Sequence, residues 1–212
     1  MVAAVRAALQ ELGWRYDVVS LGYPGPVVDG RIAVEPRNLG PGWLGFDFEA
    51  AFERPVRIIN DAAMQALGGY AGGRMLFLGL GTGLGNALVI EGHLQPLELA
   101  HLPYEKKKSF EDVVGEPGRK RIGTAKWRRH VFKVVGMLVE AMQVQQLLLG
   151  GGNARRLANW THRLPPGTRL GSNDDAFRGG FRLWMEPEDR ALTETPVDVA
   201  HASPEPESAA TD

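Results

Sequence analysis

The sequence predicts an α/β protein, and three observations carry that prediction. Short β-branched or leucine-rich runs alternate with longer segments of helical periodicity. Two glycine turns, at 79–85 and 150–152, follow directly on apolar runs, where a strand hands over to the next element. Glycine accounts for 27 of 212 residues, about twice its usual share, and it clusters at tight turns.

Taken in order, residues 2–12 carry apolar positions at helical spacing and stop before Gly13, which predicts a helix. Residues 16–21 (YDVVSL) read as a strand, apolar on both faces like a buried central one, broken by Gly22 and Pro24-Gly25-Pro26. Residues 27–46 are rich in turn formers. A second strand, 56–59, ends at Asn60-Asp61 and gives way to a helix at 62–70. A third, 75–80, meets the first glycine turn, and apolar 87–90 returns as a hairpin. Residues 105–133 are basic, with Lys106, Lys107, Lys108, Arg119, Lys120, Arg121, Lys126, Arg128, Arg129 and Lys133 against few acids. Over 125–145, Val131, Val134, Val135, Leu138, Val139 and Met142 share one helical face. Leu147–Leu149 is a short buried strand, and the second glycine turn leads into a helix at 153–160. After Trp184 the chain is acidic and lacks aromatics, which predicts a disordered tail over 186–212. This order fits a Rossmann sheet, a flavodoxin-like sheet and half a hexokinase equally.

Composition narrows the function classes. The net charge of −1 favours neither nucleic acid nor a membrane as partner. The absence of cysteine excludes disulfides, thiolate zinc sites and cysteine nucleophiles. No apolar run reaches the roughly 20 residues that span a bilayer, and residues 1–6 lack a signal-peptide core. The expectation is a cytoplasmic protein.

The candidate site residues lie at the turns. Backbone N–H groups converging in Gly81-Thr82-Gly83-Leu84-Gly85, or in Gly150-Gly151-Gly152 before a helix, suit an anion. A ligand-free glycine hairpin and a plain βα turn explain them as well. Neither matches a G-x-G-x-x-G or a Walker pattern. Asn60-Asp61 stands at a strand end, where open α/β sheets place ligands, though Asp also serves as a helix cap. Glu98 and His101, between Pro96 and Pro103, could grip neighbouring hydroxyls of a sugar or simply be solvated. Asn38 is a further amide in a glycine-rich loop.

In order along the chain, Val56-Arg57-Ile58-Ile59-Asn60-Asp61-Ala62-Ala63, Leu78 to Gly85, Glu98-Leu99-Ala100-His101 and Gly150 to Asn153 resemble the ROK family of sugar kinases and sugar-responsive repressors. The likeness is greatest to its polyphosphate/ATP glucokinase branch and covers about residues 16–185. It implies an actin/hexokinase-like (ribonuclease H-like) fold. It implies Asp61 as general base, and Asn38, Asn60, Glu98 and His101 as hexose ligands. Gly81, Thr82, Gly83 and Gly85 would face the donor phosphates, and Gly150, Gly151 and Gly152 the nucleoside or distal phosphates. Mg²⁺ with ATP or polyphosphate would be the cofactor set, glucose the hexose, and a homodimer the assembly. No zinc is expected, because the family's cysteine cluster is absent.

Two departures shape the expectation. Ala100 replaces a family glycine, and the family's opening Asp-x-Gly-Gly-Thr loop has no counterpart. The N-terminal lobe is therefore expected to be truncated, with 1–60 its remnant, 61–185 a C-terminal lobe and 186–212 a tail. The alternative function is a sugar-binding sensor without catalysis. No helix-turn-helix segment precedes the kinase-like region, so no nucleic-acid partner is expected.

Overall fold

The computed structural model describes residues 1–36, 39–105 and 107–192. The first 60 residues form α1 (Val2–Glu11), β1 (Val19–Tyr23), β2 (Val27–Val28), β3 (Arg31–Ile32), α2 (Phe48–Phe52) and β4 (Val56–Asn60). β1 pairs in parallel with β4, setting Val19 opposite Val56 and Tyr23 opposite Asn60. β2 and β3 close a hairpin whose turn residues Asp29 and Gly30 both have positive φ (49° and 72°), as a two-residue hairpin turn requires. Tyr23, Ile32, Phe48 and Phe52 make a small core here.

The expected strand at 16–21 is displaced: β1 runs Val19–Tyr23 and is no central strand, since among the described residues it pairs with β4 alone. Its anchor is Tyr23, fully buried with its hydroxyl donating to Val34 O at 2.8 Å, which pulls the strand toward its C-terminal end.

α3 (Asp61–Gly69) leads into the principal sheet. Its strands are β5 (Arg74–Leu80), β6 (Leu84–Ile90), β7 (His93–Pro96), β8 (Gln146–Gly150) and β9 (Thr168–Leu170), in the order β7-β6-β5-β8-β9. The β7-β6-β5 pairs are antiparallel and the β5-β8-β9 pairs parallel. Strand alternation sorts the side chains to two faces. Leu76, Leu78, Leu80, Leu147 and Leu149 enter one core, and Met75, Phe77 and Leu148 the other. α3 covers the second face. The first is covered by α4 (Phe110–Val114), α5 (Glu116–Ile122), α6 (Thr124–Met142) and a 3-10 helix at Ala154–Arg163.

α6 buries Trp127, Val131, Val134, Val135 and Leu138, and Trp127 Nε1 donates to Val114 O at 2.7 Å. Lys126, Arg129 and Lys133 project from its exposed side. Residues 154–163 wind as a 3-10 helix rather than an α-helix. The i→i+3 bonds of Ala154 and Arg156 N–H to the carbonyls of Gly151 and Asn153 tighten the coil from its first turn. α7 (Asp175–Arg182) packs on α3, and Arg182 Nη1 donates to the carbonyls of Leu67, Gly68 and Tyr70, closing the C-terminal end of α3. The predicted tail begins too early. α8 (Pro187–Leu192) is helical, tied back by Arg190 to the carbonyls of Arg182, Leu183 and Gly92. Residues 193–212 lie outside the described residues.

Candidate functional site

The first turn of α3 lies across the ends of three strands. Asn60 caps it: Oδ1 accepts from Ala62 N (2.9 Å) and Ala63 N (3.2 Å), while Nδ2 donates to Gly25 O (3.1 Å) and Tyr23 O (3.4 Å). Its amide is thus already committed, to the helix end and to the loop after β1. Gly79 stands in register with Gly85 on one side and Gly150 on the other. A Cβ at Gly85 would come within 2.8 Å of Ala62 Cβ, and one at Gly150 within 2.6 Å of the Phe77 ring. Gly85 therefore lets the helix approach the sheet, and Gly150 leaves room for the Phe77 ring of the neighbouring strand, each a structural duty in itself. Gly81 and Gly152 differ, since a Cβ there would meet nothing within 4 Å. Thr82 is exposed at the tip of its turn.

The two glycine turns are cross-tied. Glu116 N–H donates to Gly81 O at 3.0 Å, and Asn153 N–H to Leu80 O at 2.9 Å. Asn153 Nδ2 donates to Glu116 Oε2 at 2.9 Å, and Arg119 makes a two-pronged contact with the same carboxylate, both at 2.7 Å. Those hydrogen bonds, Arg119 first and Asn153 second, pull the Glu116 carboxyl down to about 2. Glu116 is a fixed negative strut and not a proton carrier near neutrality.

Two cavities flank the start of α3. One, of about 490 Å³, lies between the β2–β3 hairpin, Asn60, Asn86 and Glu98. Buried Asn86 shapes its floor: Nδ2 donates to Leu84 O (3.0 Å) and Oδ1 accepts from Leu99 N (3.0 Å), pinning the loop that carries Glu98. His101 Nε2 stands 3.9 Å from Glu98 Oε1, and both side chains are exposed. His101 does not line the cavity. The other cavity, of about 550 Å³, opens beside Ser20, Gly22, Asp61 and Gln65, under the exposed rings of Phe177 and Phe181.

Asp61 faces this second, more apolar space. The residue is exposed on that side, yet protein crowds its carboxyl from behind. Lost hydration raises its pKa above the ordinary 3.8, against hydrogen bonds from the N–H groups of Ala62 and of Asp61 itself. The structure thus gathers Asn60, Asp61 and the two glycine turns around one helix end, brings Glu98 to a neighbouring cavity and leaves His101 behind it. Asn38 lies outside the described residues. Sequence reasoning missed Gln65, Asn86 and Glu116. The spacing Asp61 to Gln65 (i, i+4) on a helix was the one available signal.

Among the described residues, no group of three or more His, Asp or Glu could hold a metal ion. At the helix end the carboxylate available to a cation is that of Asp61. No helix among the described residues is long and apolar enough to cross a membrane.

The ROK family sequence profile matches residues 1–96. A polyphosphate glucokinase of Mycobacterium tuberculosis (strain CDC 1551 / Oshkosh) is 28% identical over 162 residues, covering 70% of this chain and 60% of that protein. The chain therefore spans about 60% of the length of that curated relative. Among solved structures, an inorganic polyphosphate/ATP-glucomannokinase from Arthrobacter sp. strain KM superimposes with a TM-score of 0.68 at 24% identity, over 91% of this chain and 83% of that one. A ROK family transcriptional regulator, a homologue of the E. coli MLC protein, superimposes with a TM-score of 0.68 at 14% identity, over 90% and 67%. The fold is that of the actin/hexokinase-like sugar kinases. By motif order, by sequence over residues 1–96 and by fold, the resemblance of this chain to the ROK family is borne out.

Proposed function

We propose that the chain acts as a ROK-type sugar kinase of the glucokinase kind, moving a phosphoryl group from polyphosphate or ATP to a hexose hydroxyl. The observation that carries this reading is the convergence at the first turn of α3. A carboxylate with a raised pKa stands beside two glycine turns that leave Gly81 and Gly152 open. The cavity carrying Glu98 adjoins it and has the size of a small-molecule site.

In this mechanism Glu98 and Asn86 shape the hexose cavity, and Asn60 positions it through the loop after β1. Asp61 accepts the proton of the attacking hydroxyl, and burial places its pKa closer to neutrality than an ordinary carboxyl. The glycine turns at 81–85 and 150–152 hold the donor phosphates by backbone N–H groups, because phosphoryl transfer demands positioning more than covalent help. Magnesium, when bound, would arrive with the donor phosphates and neutralise their charge. A homodimer and a cytoplasmic location belong to the same proposal.

The test is to follow a hexose phosphate by phosphorus NMR with glucose and either ATP or polyphosphate. Product with one donor supports the reading, and a chain that binds no hexose refutes it. A second reading has its own support: Asp61 and Glu98 open onto different cavities. A sugar-binding sensor without catalysis would bind glucose and form no product.

A further inference from the structure

We propose that the basic face formed by α6 and the 3-10 helix holds the distal phosphates of a long polyphosphate chain whose reacting end sits at the glycine turns. The inference rests on the kinase reading above and deepens it, since it gives one of the two candidate donors a place on the surface.

Charge is unevenly spread along the sequence. Residues 117–139 hold most of the basic stretch without a single Asp or Glu, and residues 151–168 add Arg155, Arg156 and Arg163, again without an acid. All 25 acidic side chains lie elsewhere, so a net charge of −1 conceals a strongly basic region. Such a region attracts polyanions whatever the total charge of the protein.

Side-chain contacts bring the two segments together. The Arg128 guanidinium lies over the Trp160 ring, 4.5 Å from its centroid, and that of Arg163 over the Phe132 ring at 5.6 Å. Each pair joins α6 to the 3-10 helix by a cation–π contact. Arg155, Arg156 and Arg163 are exposed on one side of this seam, and Lys126 and Arg129 on α6. None of these five makes an ion pair among the described residues. Glu105 and Glu116 are already held by Lys133 and Arg119.

The face starts at the second glycine turn. Arg156 Nε donates to Asn153 Oδ1 at 2.9 Å, which fixes the guanidinium beside Gly152, while its Nη groups make no hydrogen bond among the described residues. The ten-residue 3-10 helix then carries cations outward over about 20 Å. Three phosphates seated at the turn end short of Arg163, whereas a long chain reaches it.

The rings decide between polyanions. A single-stranded nucleic acid gains much of its affinity by stacking bases on open aromatic faces. Here Arg128 covers Trp160, which also stacks with His162, and Arg163 covers Phe132. Recognition is left to charge, through the release of counterions at each phosphate contact. Inorganic polyphosphate, a polyanion without bases, matches that chemistry.

The full chain, as wild type and as Arg155→Gln/Arg163→Gln, is titrated by calorimetry with glucose. With glucose saturating, it is then titrated with long-chain polyphosphate and with tripolyphosphate at several salt concentrations. Glucose and tripolyphosphate affinities are expected to stay within about twofold in the variant, since neither ligand extends to both substituted positions. Long-chain polyphosphate is expected to weaken about tenfold. The slope of its log affinity against log salt should become shallower by about 0.7 for each lost contact, as for single strands. Equal long-chain affinity in the two proteins, with glucose binding intact, overturns this inference and leaves the kinase reading standing. A single-stranded oligonucleotide of matched charge that displaces long-chain polyphosphate equally well would assign the face to nucleic acid and also overturn it. A wild-type chain that binds no glucose overturns both readings.

Discussion

The five-stranded sheet and the two-stranded β1–β4 sheet draw on similar apolar residues but differ in how fully they are covered. In the larger sheet, β5 and β8 send alternate residues into two cores, one under α3 and one under α6, and Leu76, Leu78, Leu147 and Leu149 are at most 1% exposed. In the smaller sheet, Val19 and Leu21 are only half-buried, and Gly22 is exposed. Apolar rings such as Trp14, at 67%, lie open nearby. The candidate helix end sits at the seam: α3 is braced from behind by the large sheet and reaches forward to the loop after β1 through Asn60. The well-covered half thus supplies the platform, and the less covered half contributes to the walls of the cavities.

The largest expected effect contrasts two tryptophans. Trp127→Ala removes a fully buried ring together with its hydrogen bond to Val114, and should destabilise the chain by about 3–5 kcal/mol. Trp14→Ala should change stability by no more than about 0.5 kcal/mol. Urea denaturation of both variants checks the contrast, and equal losses would show that the two halves are covered alike.

Next comes the brace itself. Arg182→Met should cost about 2 kcal/mol or more, because carbonyls at the C-terminal end of α3 lose a charged donor. Hydrogen exchange should then quicken across residues 61–69 before it does in β5. Uniform quickening would mean that α3 does not depend on this contact.

Asn60→Ala should cost about 1 kcal/mol, the usual value of a helix cap, and should also weaken glucose through the loosened loop at 23–25. Retained glucose affinity would detach the smaller sheet from the site.

The smallest effect is a pH dependence. Glu116 has a folded pKa of about 2 against an ordinary 4.5. Its contribution to stability is complete above about pH 4.5 and is lost as the pH falls toward 2. Glu116→Gln should flatten the stability profile in that acid window, with its loss of stability seen at neutral pH and shrinking as the pH falls toward 2. An unchanged acid limb would place the loss on other carboxylates.

The same contrast explains what could be read from the sequence. The strands of the large sheet show as leucine runs between glycines, and α6 shows as a 3.6-residue stripe, because burial on both sides leaves no room for other residues. The β2–β3 hairpin has strands of two residues, too short for any periodicity. α5 was hidden among cations by Pro117 and Gly118 in its first turns, although Pro there is compatible with a helix start. Asn60-Asp61 and the glycine turns were legible, since a strand end followed by a cap is a local pattern. Gln65 and Asn86 were not. Asn86 matters through the loop that lies across from it, a tertiary fact with no local signature, and Gln65 shows locally only as an i, i+4 neighbour of Asp61. The 3-10 winding after Asn153 was hidden for the same reason: Glu116, 37 residues earlier, holds that turn.

The central claim is that Asp61 serves as a base and not merely as the first residue of a helix. It is tested most directly by Asp61→Asn, with glucose binding and turnover measured side by side across pH. The side-chain shape and the hydrogen bond from Ala62 N–H are retained in that variant, so glucose affinity should stay within about twofold. Turnover should fall about 10²–10⁴-fold. In the wild type, activity should decline on the acid side through a pKa above the ordinary 3.8, the direction in which burial shifts the Asp61 carboxyl. That limb should vanish from whatever activity the variant keeps. An Asp61→Asn protein that turns over within a few-fold of wild type, with the acid limb intact, would contradict the account.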